Sequence, residues 1–91
     1  MIISNDYQAL DQLIKELNGN IENMKKTRHQ LLLGLDKLHK AGFTDKKFTE
    51  LKGVIDDGIN TISGAIKALE VFIVSLQMRA QLIKEYYALL S

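Results

Sequence analysis

The residues in this chain with the strongest chemical repertoire are few. Two histidines, His29 and His39, are the only side chains whose ordinary titration lies near neutral pH. Neither sits in a His-Glu-x-x-His spacing, and there is no cysteine to complete a zinc set or to act as a thiol nucleophile. They read as solvated histidines. No Ser/His/Asp set or nucleophile elbow is visible, and no Gly-x-Gly-x-x-Gly or phosphate loop. Gly53, Gly58 and Gly64 fall inside a helical pattern, where close helix packing explains them better than ligand binding. Lys25-Lys26-Thr27-Arg28-His29 is basic but short. With a net charge of +1 from twelve basic and eleven acidic residues, no nucleic-acid surface is expected. The expectation is a protein that is not an enzyme and carries no cofactor or metal.

What remains is the chemistry of packing. Apolar residues in the first part of the chain fall at Tyr7, Leu10, Ile14, Leu17, Ile21, Met24, Leu31, Leu35 and Leu38, in alternating steps of three and four broken once, at Arg28. This is a heptad seam, which predicts an α-helix over about 5–40 with Ser4 or Asn5 as its N-cap. Gly19 is its weakest point, and a break there is the rival reading. A second seam, Phe48, Leu51, Ile55, Ile59, Ile62, Ile66, Leu69, Ile73, Leu76, Ala80, Ile83, Tyr87 and Leu90, predicts a helix over about 45–89. A flanking row that includes Val54, Ala65, Phe72, Leu82, Tyr86 and Leu89 widens its apolar face beyond what one helix can cover. The chain lacks proline, so nothing breaks either run.

Between the helices lies an elbow at 41–44. Gly42 suits the left-handed residue that ends a helix. Thr44 is the expected N-cap of the second helix, with Asp45 in its first turn and Phe43 and Phe48 as a hydrophobic staple. Folding the chain there opposes residues whose numbers add to about 85. Ile14 then meets Val71 or Phe72, and Arg28 faces Asp56 and Asp57 as a register-fixing ion pair. Residues beyond about Ala80 have no partner. An apolar end left over in this way marks an interaction surface, with Phe72, Leu82, Tyr86, Tyr87 and Leu89 as the expected contact residues.

At 91 residues one domain is expected, and a lone two-helix hairpin is thin for a stable core. The predicted fold is therefore all-α: an antiparallel two-helix hairpin that dimerises into a four-helix bundle. The N-terminus lacks the pattern of a signal peptide, and no uninterrupted apolar run approaches the ~20 residues of a membrane span, so no stable membrane insertion is expected.

The elbow Gly42-Phe43-Thr44-Asp45-Lys46-Lys47-Phe48, followed by Leu51, Ile55, Ile59, Ile62, Ile66 and Leu69, resembles the WXG family. These are small helical hairpins that are substrates and partners of ESX (type VII) secretion systems. The likeness covers nearly the whole chain in layout, and its specific part is the elbow. Phe43 stands for the family's tryptophan and Asp45 occupies the place of its glycine. That relaxed elbow is shared with looser relatives, among them the small helical partners of LXG-type toxins. The family's Tyr-x-x-x-Asp/Glu export signal is missing from the C-terminal tail. Tyr7-Gln8-Ala9-Leu10-Asp11 has the spacing at the opposite end, where Tyr7 already fills a seam position. The resemblance implies a homodimer, or a heterodimer with another helical hairpin or with the helical N-terminal region of a toxin. It implies synthesis in the cytoplasm and export through a type VII system, with the signal supplied by a partner. The alternative is a cytoplasmic helical adaptor or immunity-type protein that neutralises a toxin.

Overall fold

The computed structural model describes the backbone of residues 3–90 and the side chains of residues 7–90. It holds two helices, α1 (Ile3–Lys40, 38 residues) and α2 (Lys46–Leu90, 45 residues). At 1.5 Å per residue their lengths are ~57 Å and ~68 Å. They lie against each other as a helical hairpin. α1 runs unbroken through Gly19 and begins at Ile3, ahead of both Ser4 and Asn5, so neither of these is its N-cap. Their side chains lie outside the described residues.

The elbow is built by two hydrogen-bonded caps. Gly42 has φ of 95°, the only positive φ among the described residues. Its N–H donates to the His39 carbonyl at 3.0 Å, and the Phe43 N–H donates to the Leu38 carbonyl at 3.1 Å. This pair of bonds is a Schellman motif with Gly42 at C′ and Phe43 at C″. It satisfies two of the carbonyls that α1 would otherwise leave open. Lys37, His39 and Lys40 in the last turn complement the negative end of the helix. On the far side the N-cap is Asp45, not Thr44. The Asp45 Oδ1 accepts the Phe48 N–H at 2.8 Å, and the helix starts at Lys46. Phe48 is therefore N3 and Phe43 lies one place before N′, so the staple does not form in the expected N′-to-N4 form. The two rings instead border one shallow concavity with Leu38 and Leu51.

The chain forms two compact units. The elbow unit is Glu22–Lys67, and the terminal unit is Met1–Ile21 with Ala68–Ser91. In the elbow unit Leu35 and Ile66 are buried, with Met24, Arg28, Leu31, Leu38, Phe48, Ile55, Ile59 and Ile62 half-buried. In the terminal unit Ile21, Ile73 and Ala80 are buried, with Tyr7, Leu10, Ile14, Leu17, Leu69, Leu76 and Ile83 half-buried. Every expected seam position of α1 is thus covered, Arg28 included. In α2 three expected seam residues are exposed: Leu51 beside the elbow, and Tyr87 and Leu90 near the end.

Candidate interaction surface

The site is best built outward from the seam. Arg28 occupies the one heptad position of α1 that is not apolar, and it is half-buried. Its Nη1 donates to the Ser63 Oγ at 3.0 Å. The expected pairing with Asp56 and Asp57 is not made. Asp56 is held by Lys52 at 2.8 Å on the same helix, and the Asp57 carbonyl accepts from the Thr61 hydroxyl at 3.0 Å. The cause is side-chain direction. Each Cα–Cβ bond leans toward its own helix N-terminus. In an antiparallel pair that carries a long side chain of α1 away from the elbow, so Arg28 reaches about six residues further along α2 than backbone geometry alone places it.

The same lean acts in the terminal unit. Lys84 on α2 bends back toward the elbow end and meets Asp11 at 3.0 Å. Its Nζ also lies 5.3 Å from the centroid of the Tyr7 ring. Lys84 is half-buried, so α1 covers α2 four residues further than the expected limit at Ala80. Tyr7 and Asp11, the two defining residues of the Tyr-x-x-x-Asp spacing, are both engaged by this lysine. Both charges of the pair are over two-fifths exposed, which limits the ion pair to about 1 kcal/mol or less. The cation–π contact adds a term of ~0.5–1 kcal/mol.

The polar groups near the elbow are also partnered locally. An open concavity of about 410 Å³ is lined by Leu35, Asp36, His39, Thr44, Phe48, Thr49 and Lys52. His39 and Phe48 stack there with centroids 6.1 Å apart. Asp36 pairs with Lys40 at 2.9 Å, and that hydrogen bond holds the Lys40 ammonium pKa above its ordinary value. Among the described residues no group of three or more His, Cys, Asp or Glu is arranged to hold a metal ion. Gly53, Gly58 and Gly64 do not mark close approach of α1: a Cβ built at each meets nothing within 4 Å.

What the surface does offer is apolar area. Phe72, Leu82, Tyr86, Tyr87 and Leu89 are 49%, 64%, 55%, 43% and 86% exposed. They do not share one face. Phe72 and Tyr86 lie along one flank of the seam, Tyr87 continues the seam itself, and Leu82 and Leu89 turn toward the back of α2. Val71, which with Phe72 was one of the two residues expected against Ile14, is also exposed, at 69%. The exposed residues Val71, Val74 and Met78, which stand with Leu82 on that back face, form a row that sequence reasoning missed. Their steps of three, four and four were visible in the sequence but were read only against the seam.

α2 is also long and apolar enough, by length and composition, to cross a membrane: an 18-residue window has mean hydropathy 1.5 and is 11% buried. Uninterrupted runs alone had hidden this. Comparison with known proteins finds no matching family model, no matching curated protein and no matching solved structure.

Proposed function

We propose that this chain is a non-enzymatic docking protein that works by helix-to-helix association, as a WXG-like substrate of a type VII secretion system or as the targeting partner of a secreted toxin. The observation that carries the docking part is the imbalance in α2. Five residues in the described chain are buried, Ile21, Leu35, Ile66, Ile73 and Ala80, while most large apolar side chains of the terminal part of α2 stay exposed. A helix this apolar beyond its packed face is one whose remaining faces are covered by something else. The secretion part rests on the resemblance of the elbow and the following heptads.

The magnitudes set what the partner must supply. The exposed fractions of Phe72, Leu82, Tyr86, Tyr87 and Leu89 amount to about three whole side chains. Burying them contributes roughly 4.5–9 kcal/mol at 1.5–3 kcal/mol each. Association costs an estimated 4–15 kcal/mol in lost freedom. These five residues alone therefore give marginal binding, and a stable complex needs apolar area beyond them. A second hairpin that covers both this flank and the back positions Leu82 and Leu89 makes a four-helix bundle.

Two measurements test the reading. Light scattering after size exclusion at micromolar concentration should give a dimer or, with the partner co-expressed, a heterodimer; a stable monomer in both cases removes the docking function. The protein should appear in culture supernatant only when the ESX ATPase is intact. Release that ignores the ATPase, or retention of the docked complex in cells with an intact system, removes the secretion role.

A further inference from the structure

The two compact units differ in how the chain closes them. Glu22–Lys67 is one continuous stretch, turned back on itself by the elbow, whereas the terminal unit is two separate stretches, Met1–Ile21 and Ala68–Ser91. A hairpin tied at one end opens from the other. Freeing the terminal stretch of α1 releases a chain end. Opening the elbow unit with the terminal unit still closed would instead leave a long loop with both ends held, at a cost in entropy.

The terminal stretch of α1 is also lightly packed. No side chain from Tyr7 to Asn20 is buried, and Tyr7, Leu10, Ile14 and Leu17 are half-buried. Ile21 is the first buried residue of α1. Between the two lies Asn18-Gly19-Asn20, a run of poor helix formers. A Cβ built at Gly19 meets nothing within 4 Å, so packing does not require glycine there. The weakest point of the helix therefore coincides with the edge of the terminal unit. Freed from α2, the stretch before it is close to the ~12–15 residues below which an isolated helix is marginal in water, so it should melt as it leaves.

One side chain works against that release. Among the described residues Lys84–Asp11 is the only ion pair that joins the two helices; Lys40–Asp36 and Lys52–Asp56 each lie within one helix. Asp11 and Tyr7 are one turn apart on α1, and the Lys84 Nζ sits 3.0 Å from the first and 5.3 Å from the ring centroid of the second. The side-chain hydrogen bonds from Gln12 to Glu16 and from Gln81 to Glu85 run along single helices and tie nothing across.

We propose that the terminal unit is a clasp that opens on its own: α1 as far as Asn18-Gly19-Asn20 leaves α2 and melts as one segment while the elbow unit stays folded, and the grip of Lys84 on Asp11 and Tyr7, weakened by salt, sets how often. The clasp depends neither on the docking reading nor on a secretion role.

Amide hydrogen exchange of the isotope-labelled chain, read residue by residue by NMR, tests this. The Leu10, Ile14 and Leu17 amides should share one protection factor, below that of Leu31 and Leu35. Lys84→Met keeps the apolar stem and removes the charge. It should lower protection at Leu10, Ile14 and Leu17 about tenfold, the joint loss of a partly exposed ion pair and a cation–π contact. In about 1 M sodium chloride, where the screening length is ~3 Å, the parent should lose about threefold there and Lys84→Met nothing. Gly42→Ala separates the clasp from unfolding of the whole hairpin. Its strain at φ of 95° is present whether the clasp is closed or open. Leu10, Ile14 and Leu17 should then stay within about twofold of the parent while Leu31 and Leu35 lose about fivefold or more. Should Gly42→Ala fail to fold, Asp45→Ala serves the same purpose, since its cap also lies in the elbow unit. Protection that climbs residue by residue from Tyr7 would be simple fraying and would overturn the clasp. A loss at Leu10, Ile14 and Leu17 as large as that at Leu31 in the elbow variant would overturn it too, because the hairpin then opens only as a whole. Lys84→Met exchanging like the parent would overturn the assignment of the grip.

Discussion

Replacing Asp45 with alanine isolates the cap that starts α2. The Asp45 Oδ1 accepts the Phe48 N–H at 2.8 Å, and its charge sits at the positive end of a 45-residue helix. Losing an N-cap acceptor costs about 1 kcal/mol, within a range of 0.5–2. The charge at the helix end adds roughly 0.3–1 kcal/mol at low ionic strength. The sum is about 1.5 kcal/mol for Asp45→Ala. Asp45→Asn keeps the acceptor and removes only the charge, so it should lose less than 1 kcal/mol, and that loss should shrink in high salt. Thr44→Ala should stay within about 0.5 kcal/mol of the parent, as a surface change outside the cap. Urea unfolding followed by circular dichroism, at fixed protein concentration, reads all three. With a slope near 1 kcal/mol per molar for a chain this small, Asp45→Ala moves the midpoint by about 1.5 M. A Thr44→Ala variant that loses as much as Asp45→Ala would refute the cap assignment.

Gly42→Ala forces a Cβ onto a residue with φ of 95° and should cost about 1–2 kcal/mol, read as a drop in thermal midpoint. Arg28→Leu completes the heptad seam at the cost of the Ser63 bond. It should keep the fold and leave stability unchanged or about 1 kcal/mol higher, because a partly buried charge is exchanged for apolar packing; a loss above about 2 kcal/mol would mean the guanidinium does more than hold Ser63. Gly64→Ala should gain about 1 kcal/mol, since the new methyl meets nothing within 4 Å and alanine is the better helix former. A loss instead would place a partner chain over that glycine, and repeating the melt at several concentrations would show it.

The legible and illegible parts of this chain divide along physical lines. The seam of α1 was readable to the residue, because a three-four repeat over nine apolar positions has one helical solution, and burial follows it from Tyr7 to Leu38. The end of α1 was readable because only glycine adopts the conformation found at Gly42 without strain. The start of α2 was not, because Thr44 and Asp45 are both good caps and the choice depends on which oxygen reaches the Phe48 N–H. The partner of Arg28 was misplaced because counting from the elbow treats residues as points on an axis. Side chains lean toward their own N-termini, and that lean separates Asp57 from Ser63. The back row of α2 was overlooked for a different reason. Val71, Val74 and Met78 have helical spacing, but a search for one seam and its flank does not ask whether the opposite face repeats the pattern.

The corrected register changes how the two ends of the chain bear on function. Counting from the elbow left everything past Ala80 unpartnered and left Tyr7 and Asp11 available as a displaced signal. With Lys84 placed over Tyr7 and bonded to Asp11, those residues have a structural use that accounts for their types and spacing without any recognition role. That favours the version of the proposed function in which a partner supplies the export signal. It also narrows the overhang to the exposed residues after Lys84. Tyr86, Tyr87, Leu89 and Leu90 lie there, too few to anchor a partner alone, yet continuous along α2 with Phe72 on the flank and with Met78 and Leu82 on the back. Binding energy should therefore be spread along the last third of α2 rather than concentrated at its tip. Removing residues 85–91 should weaken association without abolishing it, whereas a charge at Phe72, in the middle of the exposed stretch, should abolish it.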